Sequence, residues 1–229
     1  MPYGVRRLAY GLMWPERFGE LLELRGRDGT GYTLRSFDEL GCIFVHVPKA
    51  AGVSVTRSLF GNLGGAHRTL RQYQVAFPHS LYERYFKFAF VRNPWDRLVS
   101  AYEFLAQGGF DAGDRRWAVR NLSEFDEFGD FVRGWLNHEN IYSRVHFVPQ
   151  YIFLRGANGD EPGVDFVGRV ESFDRDFRHV CEVLGVDAQR RHDNVSSRRK
   201  NYREYYDEET KRMVGRTYSK DIELFGYEF

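Results

Sequence analysis

Residues 43–59 read IFVHVPKAAGVSVTRSL. Ile43, Phe44, Val45 and Val47 are apolar and Pro48 ends the run, which predicts a short buried strand closed by a breaker. Ala50, Ala51 and Gly52 follow, all small, and then Val53, Val55 and Leu59 recur at helix-compatible spacing up to Phe60. Strand, small-residue loop with one lysine, then helix is the layout of a phosphate cradle. The loop N–H groups and the helix N-terminus point at an anion, and Lys49 adds a point charge. Gly52 lets the backbone come close, and Ser54 can donate from the first helical turn. The G-x-x-x-x-G-K-[ST] order of a Walker A loop is missing, and a strand with a small-residue turn also occurs as plain α/β architecture.

A second stretch, residues 87–105, reads KFAFVRNPWDRLVSAYEFL. Phe88 to Val91 form a continuous apolar run, the pattern of another buried strand. Arg92 stands at its end, Asn93 suits a helix cap and Pro94 suits the first turn. Trp95, Leu98, Val99, Tyr102 and Ala106 make a core-facing stripe. Ser100 falls on the opposite side, where a serine is usually solvated. It reaches the same anion as Arg92 only if the helix runs past the ligand.

Around these two stretches the chain alternates. Short helices are predicted near residues 69–77 and 80–85, separated by Pro78. An amphipathic helix over 123–137 starts on a capping box of Ser123 and Asp126. Residues 151–154 and 164–170 read as later strands, and 172–184 as a helix stopped by Gly185. A last helix covers 207–218. Residues 1–36 look like an extension with a turn-rich RGRDGTG at 25–31, followed by a single domain over 37–229. Strands alternating with helices predict an α/β fold with a mainly parallel central sheet flanked by helices. Such sheets bind ligands at the carboxyl ends of their strands, where Lys49 and Arg92 both sit.

Composition narrows the partners. The chain has 229 residues, 42% hydrophobic and 28% charged, and a formal net charge of +1. That is globular and argues against nucleic acid as a bulk electrostatic partner. Cys42 and Cys181 have no zinc or C-x-x-C spacing and read as buried free thiols. No run approaches the ~18 apolar residues of a membrane span, and Arg6 and Arg7 are not followed by the apolar core of a secretory signal.

The two stretches together resemble the cofactor signatures of sulfotransferases, nearest to the membrane-associated carbohydrate (Golgi-type, family 2-like) group and its bacterial relatives. FVPQYIFL at 147–154, VGRVESF at 167–173 and the C-terminal YREYYDEET and DIELFGYEF extend the similarity over roughly 41–229. The resemblance implies a fold related to P-loop nucleotide kinases. It also implies the donor 3′-phosphoadenosine 5′-phosphosulfate, with no metal. By position it assigns Lys49, Ala50, Ala51, Gly52, Val53 and Ser54 to the 5′-phosphosulfate, and Arg92 and Ser100 to the 3′-phosphate. Ser196 and Ser197, with Arg198 to Lys200, would close over the adenosine. Lys49 would stabilise the leaving oxygen in an in-line transfer.

An acceptor hydroxyl needs a general base, for which His46, His67, His79 and His146 are candidates. His46 lies in the strand and suits a core position. His67 is chosen because it follows the first helix in a Gly-rich loop, where related enzymes place a catalytic histidine. The implied acceptor is a carbohydrate or similar small molecule, read by residues 62–80 and 107–145; the sequence leaves the oligomeric state open. The rival readings are a P-loop-like nucleotide kinase and a non-catalytic module binding an anionic nucleotide. Met1 and the absence of an anchor suggest a bacterial cytoplasmic enzyme, the alternative being a lumenal domain of a longer protein.

Overall fold

In the computed structural model, residues 3–156, 159–188 and 201–229 are described. In chain order the elements are α1 (Tyr3–Met13), α2 (Pro15–Gly26), α3 (Arg35–Leu40), β1 (Cys42–Val45), α4 (Gly52–Phe60), α5 (Leu70–Ala76), α6 (His79–Arg84) and β2 (Phe86–Val91). Then come α7 (Pro94–Ala106), α8 (Ala112–Asn121), α9 (Phe128–Trp135), α10 (Gln150–Leu154), β3 (Phe166–Arg169), α11 (Phe173–Leu184), α12 (Glu208–Thr217) and α13 (Ser219–Phe225). The mixed α/β class and the parallel sheet agree with the sequence.

The chain divides into two compact units, one of residues 1–91 and 151–194, the other of residues 92–150 and 195–229. The first unit holds the sheet. β2 is central, pairing in parallel with β1 (Phe44 opposite Phe88) and with β3 (Ala89 opposite Val167). Every residue of β1 and all but the first of β2 are buried. This explains why both read as unbroken apolar runs rather than as alternating strands. The edge strand β3 is only partly buried, and Gly168 is needed there. A Cβ at Gly168 would lie 2.7 Å from the Phe90 ring. Lys87 is buried in the middle strand but is answered by Asp165, 3.0 Å away, and by the Tyr85 carbonyl at 2.8 Å. α11 begins after β3 and stops on Gly185 in the left-handed region, as the sequence predicts.

The second unit is built on aromatic packing. Phe131 stacks on Trp135 with centroids 5.0 Å apart, and Trp135 meets Phe147 at 4.7 Å. Leu98, Val99 and Leu105 of α7 and Val214 of α12 close the same core. α7 starts as expected on Asn93, whose side-chain oxygen accepts from Trp95 N at 3.1 Å and whose amide donates to the Glu228 carbonyl at 2.7 Å. Trp95 Nε1 donates to the Lys211 carbonyl, which joins α7 to α12.

Four expectations need correction. Residues 151–154 are helical, within α10, not a strand; an apolar run of four carries too little periodicity to separate the two. The Ser123 and Asp126 capping box does not form. Ser123 Oγ instead donates back to the Val119 carbonyl, extending the end of α8, and α9 begins only at Phe128. Ser100 is buried, not solvated. Finally, α13 follows the helix expected to be the last.

Candidate active site

In the first unit, β1 ends at Val45 and the chain turns through Val47 to Ala51 before α4. Lys49 has φ +65° and Ala51 has φ +59°, both in the left-handed region. Ala66, directly before His67, has φ +58°. These are the residues other than glycine with positive φ among the described residues, and all three lie in the two loops that carry Lys49 and His67. Each such conformation costs on the order of 1–2 kcal/mol for an L-residue and persists only where its surroundings over-determine it. Positive φ at alternate positions, as at Lys49 and Ala51, is also the backbone pattern of anion-binding concavities.

α4 begins at Gly52 with Ala51 as its cap, a residue with no side chain able to accept from the first turn. α7 differs, since Asn93 serves its first N–H groups. An uncapped first turn carrying the positive end of the helix dipole, preceded by a lysine, suits an anion. Ser54 is buried in that turn and Lys49 is half-buried.

His67 comes from the loop after α4. Its Nδ1 lies 3.2 Å from the backbone carbonyl of His46, and the two imidazoles meet edge to face with centroids 4.4 Å apart. The loop is held tightly. Arg68 Nη1 donates to the Gly65 carbonyl at 2.6 Å, and a Cβ at Gly65 would fall 2.3 Å from the buried Tyr73 hydroxyl. Burial raises the Tyr73 phenol far above its ordinary value, so that ring stays neutral. His46 is buried, as expected of a core histidine. His79 is exposed and faces Glu83 at 3.5 Å, an ordinary surface pair.

The second unit positions Arg92 and Ser100. Arg92 Nε donates to Asp96 Oδ2 at 2.7 Å, one turn on, and both side chains are largely buried. Its backbone is gripped by Gln150, which accepts from Arg92 N at 2.9 Å and donates to Arg92 O at 2.8 Å. Gln150 in turn donates its own N–H to Asp221 Oδ2 at 2.8 Å. Sequence reasoning missed Gln150 and Asp221; the one available signal was a glutamine beside an apolar run. Arg97 is buried on α7, donating to the Val148 carbonyl at 2.9 Å; burial lowers its pKa. His146 lies in this unit too, buried 3.8 Å from Asp114. Ser196, Ser197 and the basic run after them lie outside the described residues. No group of three His, Cys, Asp or Glu suited to a metal ion occurs among the described residues, and no described helix is long and apolar enough to cross a membrane.

An uncharacterized protein of Archaeoglobus fulgidus is 31% identical over 107 residues, 46% of this chain and 72% of that relative. No solved structure matches. The model of the sulfotransferase family matches residues 33–228, which takes in the strained Lys49 loop, His67 and the α7 stretch from Arg92 to Ser100. A match of that extent settles membership, and the chain belongs to the sulfotransferase family, whose activity is sulfuryl transfer.

Proposed function

We propose that this protein transfers a sulfuryl group from 3′-phosphoadenosine 5′-phosphosulfate to a hydroxyl of a carbohydrate or similar small acceptor, with residues 37–229 as the catalytic domain. The observation that carries the reading is the uncapped start of α4 behind Lys49 and Ala51 at positive φ. Backbone held in costly conformations beside a lysine fits a phosphate-bearing ligand better than it fits plain architecture. The donor, when bound, supplies an activated sulfuryl group and a bisphosphate leaving group.

The residues divide the work. The N–H groups of Ala50 to Ser54 and the Ser54 hydroxyl hold the 5′-side oxygens. Lys49 places its ammonium where negative charge develops on the leaving oxygen, an interaction worth about 3–4 kcal/mol in comparable transition states. Arg92, pre-oriented by Asp96, and Ser100 take the 3′-phosphate, joined by Ser196 and Ser197. His67 accepts the acceptor hydroxyl proton as that oxygen bonds to sulfur.

Calorimetric titration with 3′-phosphoadenosine 5′-phosphate, beside ATP with magnesium, tests the donor assignment. Metal-independent binding of the bisphosphate, weakened by about 2 kcal/mol in Arg92→Ala, is expected for loss of a charge-assisted pair. Equal or tighter binding of ATP with magnesium would favour a nucleotide kinase instead. Donor binding with no sulfuryl transfer across a panel of sugar and phenol hydroxyls would reduce the protein to a binding module.

A further inference from the structure

His46 touches both parts of the first unit's site. Its carbonyl oxygen faces His67 Nδ1 at 3.2 Å. A carbonyl can only accept, so the ring nitrogen facing it carries the hydrogen, and in the neutral ring the lone pair then lies on His67 Nε2. The His46 imidazole also meets the His67 ring edge to face at 66° and stacks on Phe44 at 23°, with centroids 5.7 Å apart. Its place exists only because residue 52 is glycine. A Cβ there would lie 1.9 Å from both Cδ2 and Nε2 of His46. The first residue of α4, the His46 ring and the His67 ring thus form one contact series, from the anion loop to the histidine.

We infer that His46 is a positioning residue, which holds His67 in the Nδ1–H tautomer and fixes its ring angle against the start of α4. The inference rests on reading His67 as the base and adds to it which nitrogen takes the proton. When Nε2 is protonated the ring becomes a cation, and the Nδ1–H bond to the His46 carbonyl becomes charge-assisted and stronger. The carbonyl does for His67 what a carboxylate does for the imidazole of a hydrolase triad: it sets the tautomer and steadies the cation. The His46 ring, wedged between Gly52 and His67, prevents the imidazole from rotating away from that carbonyl.

The test is nitrogen-15 NMR of the full chain labelled at histidine, with and without 3′-phosphoadenosine 5′-phosphate. The His67 signals are assigned by their loss in His67→Asn. Neutral His67 is expected to show a protonated-type Nδ1 and a lone-pair-type Nε2 in the wild type. His46→Phe keeps the ring and the backbone carbonyl and should keep that pattern. His46→Ala should fold cooperatively, yet its two His67 nitrogen shifts should converge toward the values of a free imidazole mixture. An Nε2–H form in the wild type overturns the inference, and so does an unchanged tautomer in His46→Ala. If His46→Ala does not fold, the wild-type spectrum and His46→Phe decide the matter. The tautomer is read without turnover, so its failure is distinct from that of the base assignment, which falls if His67→Asn retains full transfer activity.

Discussion

Gln150 and Arg92 exchange two hydrogen bonds, the Gln150 amide closing on both backbone groups of Arg92 at 2.9 and 2.8 Å. Gln150 is fully buried, so water has no easy route to replace it. Gln150→Ala leaves a donor and an acceptor of Arg92 without their partner, each a cost of about 1–3 kcal/mol. We expect a loss of roughly 3 kcal/mol in urea unfolding and weaker binding of 3′-phosphoadenosine 5′-phosphate. A variant within 1 kcal/mol of wild type would show the clamp to be dispensable.

Gly52→Ala forces a methyl group into the His46 ring. A separation of 1.9 Å cannot be absorbed by a stacked imidazole, so either the ring leaves or the loop moves. The expected result is a loss of at least about 2 kcal/mol in stability and about tenfold in bisphosphate affinity, some 1.4 kcal/mol. His46→Ala in the same chain makes room for the methyl and should restore much of the stability. If the double variant is no more stable than the single one, the clash is not the cause.

The elements legible in the sequence are those whose signal is local. β1, α4, β2 and α7 follow from apolar runs, a breaker and a cap, and Gly185 announces the end of α11. α1 and α2 fall inside the stretch that reads as an extension, although Val5, Leu8 and Leu12 of α1 and Leu21 and Leu24 of α2 stand at helical spacing; the α1 stripe is exposed and the α2 pair is buried. α8 escaped because its polar sequence has no apolar stripe, only the Asp111 cap. At the site, the sequence offered Lys49 and His67 as separate residues. The His46 carbonyl contact joins residues 21 apart through a backbone atom, which no side-chain pattern encodes. The left-handed turn at Ala51 was equally hidden, because alanine gives no hint of positive φ.

Ala51→Gly should stabilise the protein. Ala51 has φ +59° and ψ 18°, a region costing about 1–2 kcal/mol for alanine and almost nothing for glycine. The greater freedom of glycine in the unfolded chain offsets part of the gain, leaving roughly 0.5–1 kcal/mol. Thermal unfolding reads the sign directly. A lower midpoint would mean that the alanine methyl makes contacts worth more than the strain.

Asp114 makes an acid-sensitive joint in the second unit. Burial by itself would raise its carboxyl, but the Phe110 N–H at 2.8 Å, the Arg144 guanidinium and His146 outweigh burial and hold it below the ordinary carboxylate value. The folded state therefore holds this proton more weakly than the unfolded chain. The stability Asp114 contributes is complete above its unfolded value of about 4 and is lost as pH falls through the lower folded value. Asp114→Asn should cost about 2 kcal/mol near neutrality and flatten the decline of stability below about pH 4. Parallel curves for variant and wild type would assign the acid sensitivity elsewhere.

The sheet order has a consequence for the nascent chain. β2 lies at the centre, yet its partner β3 is made only after residues 92–165 have been synthesised. Until then one edge of β2 presents a row of open N–H and C=O groups, with only the four residues of β1 on the other edge, and Phe88 to Val91 add apolar side chains on its faces. Such an edge recruits other strands, and long-range parallel pairing forms slowly because loop closure precedes any contact it allows. The vulnerable interval in this protein's life therefore lies in translation, between the synthesis of Val91 and that of Phe166, when an occluding chaperone has most to contribute.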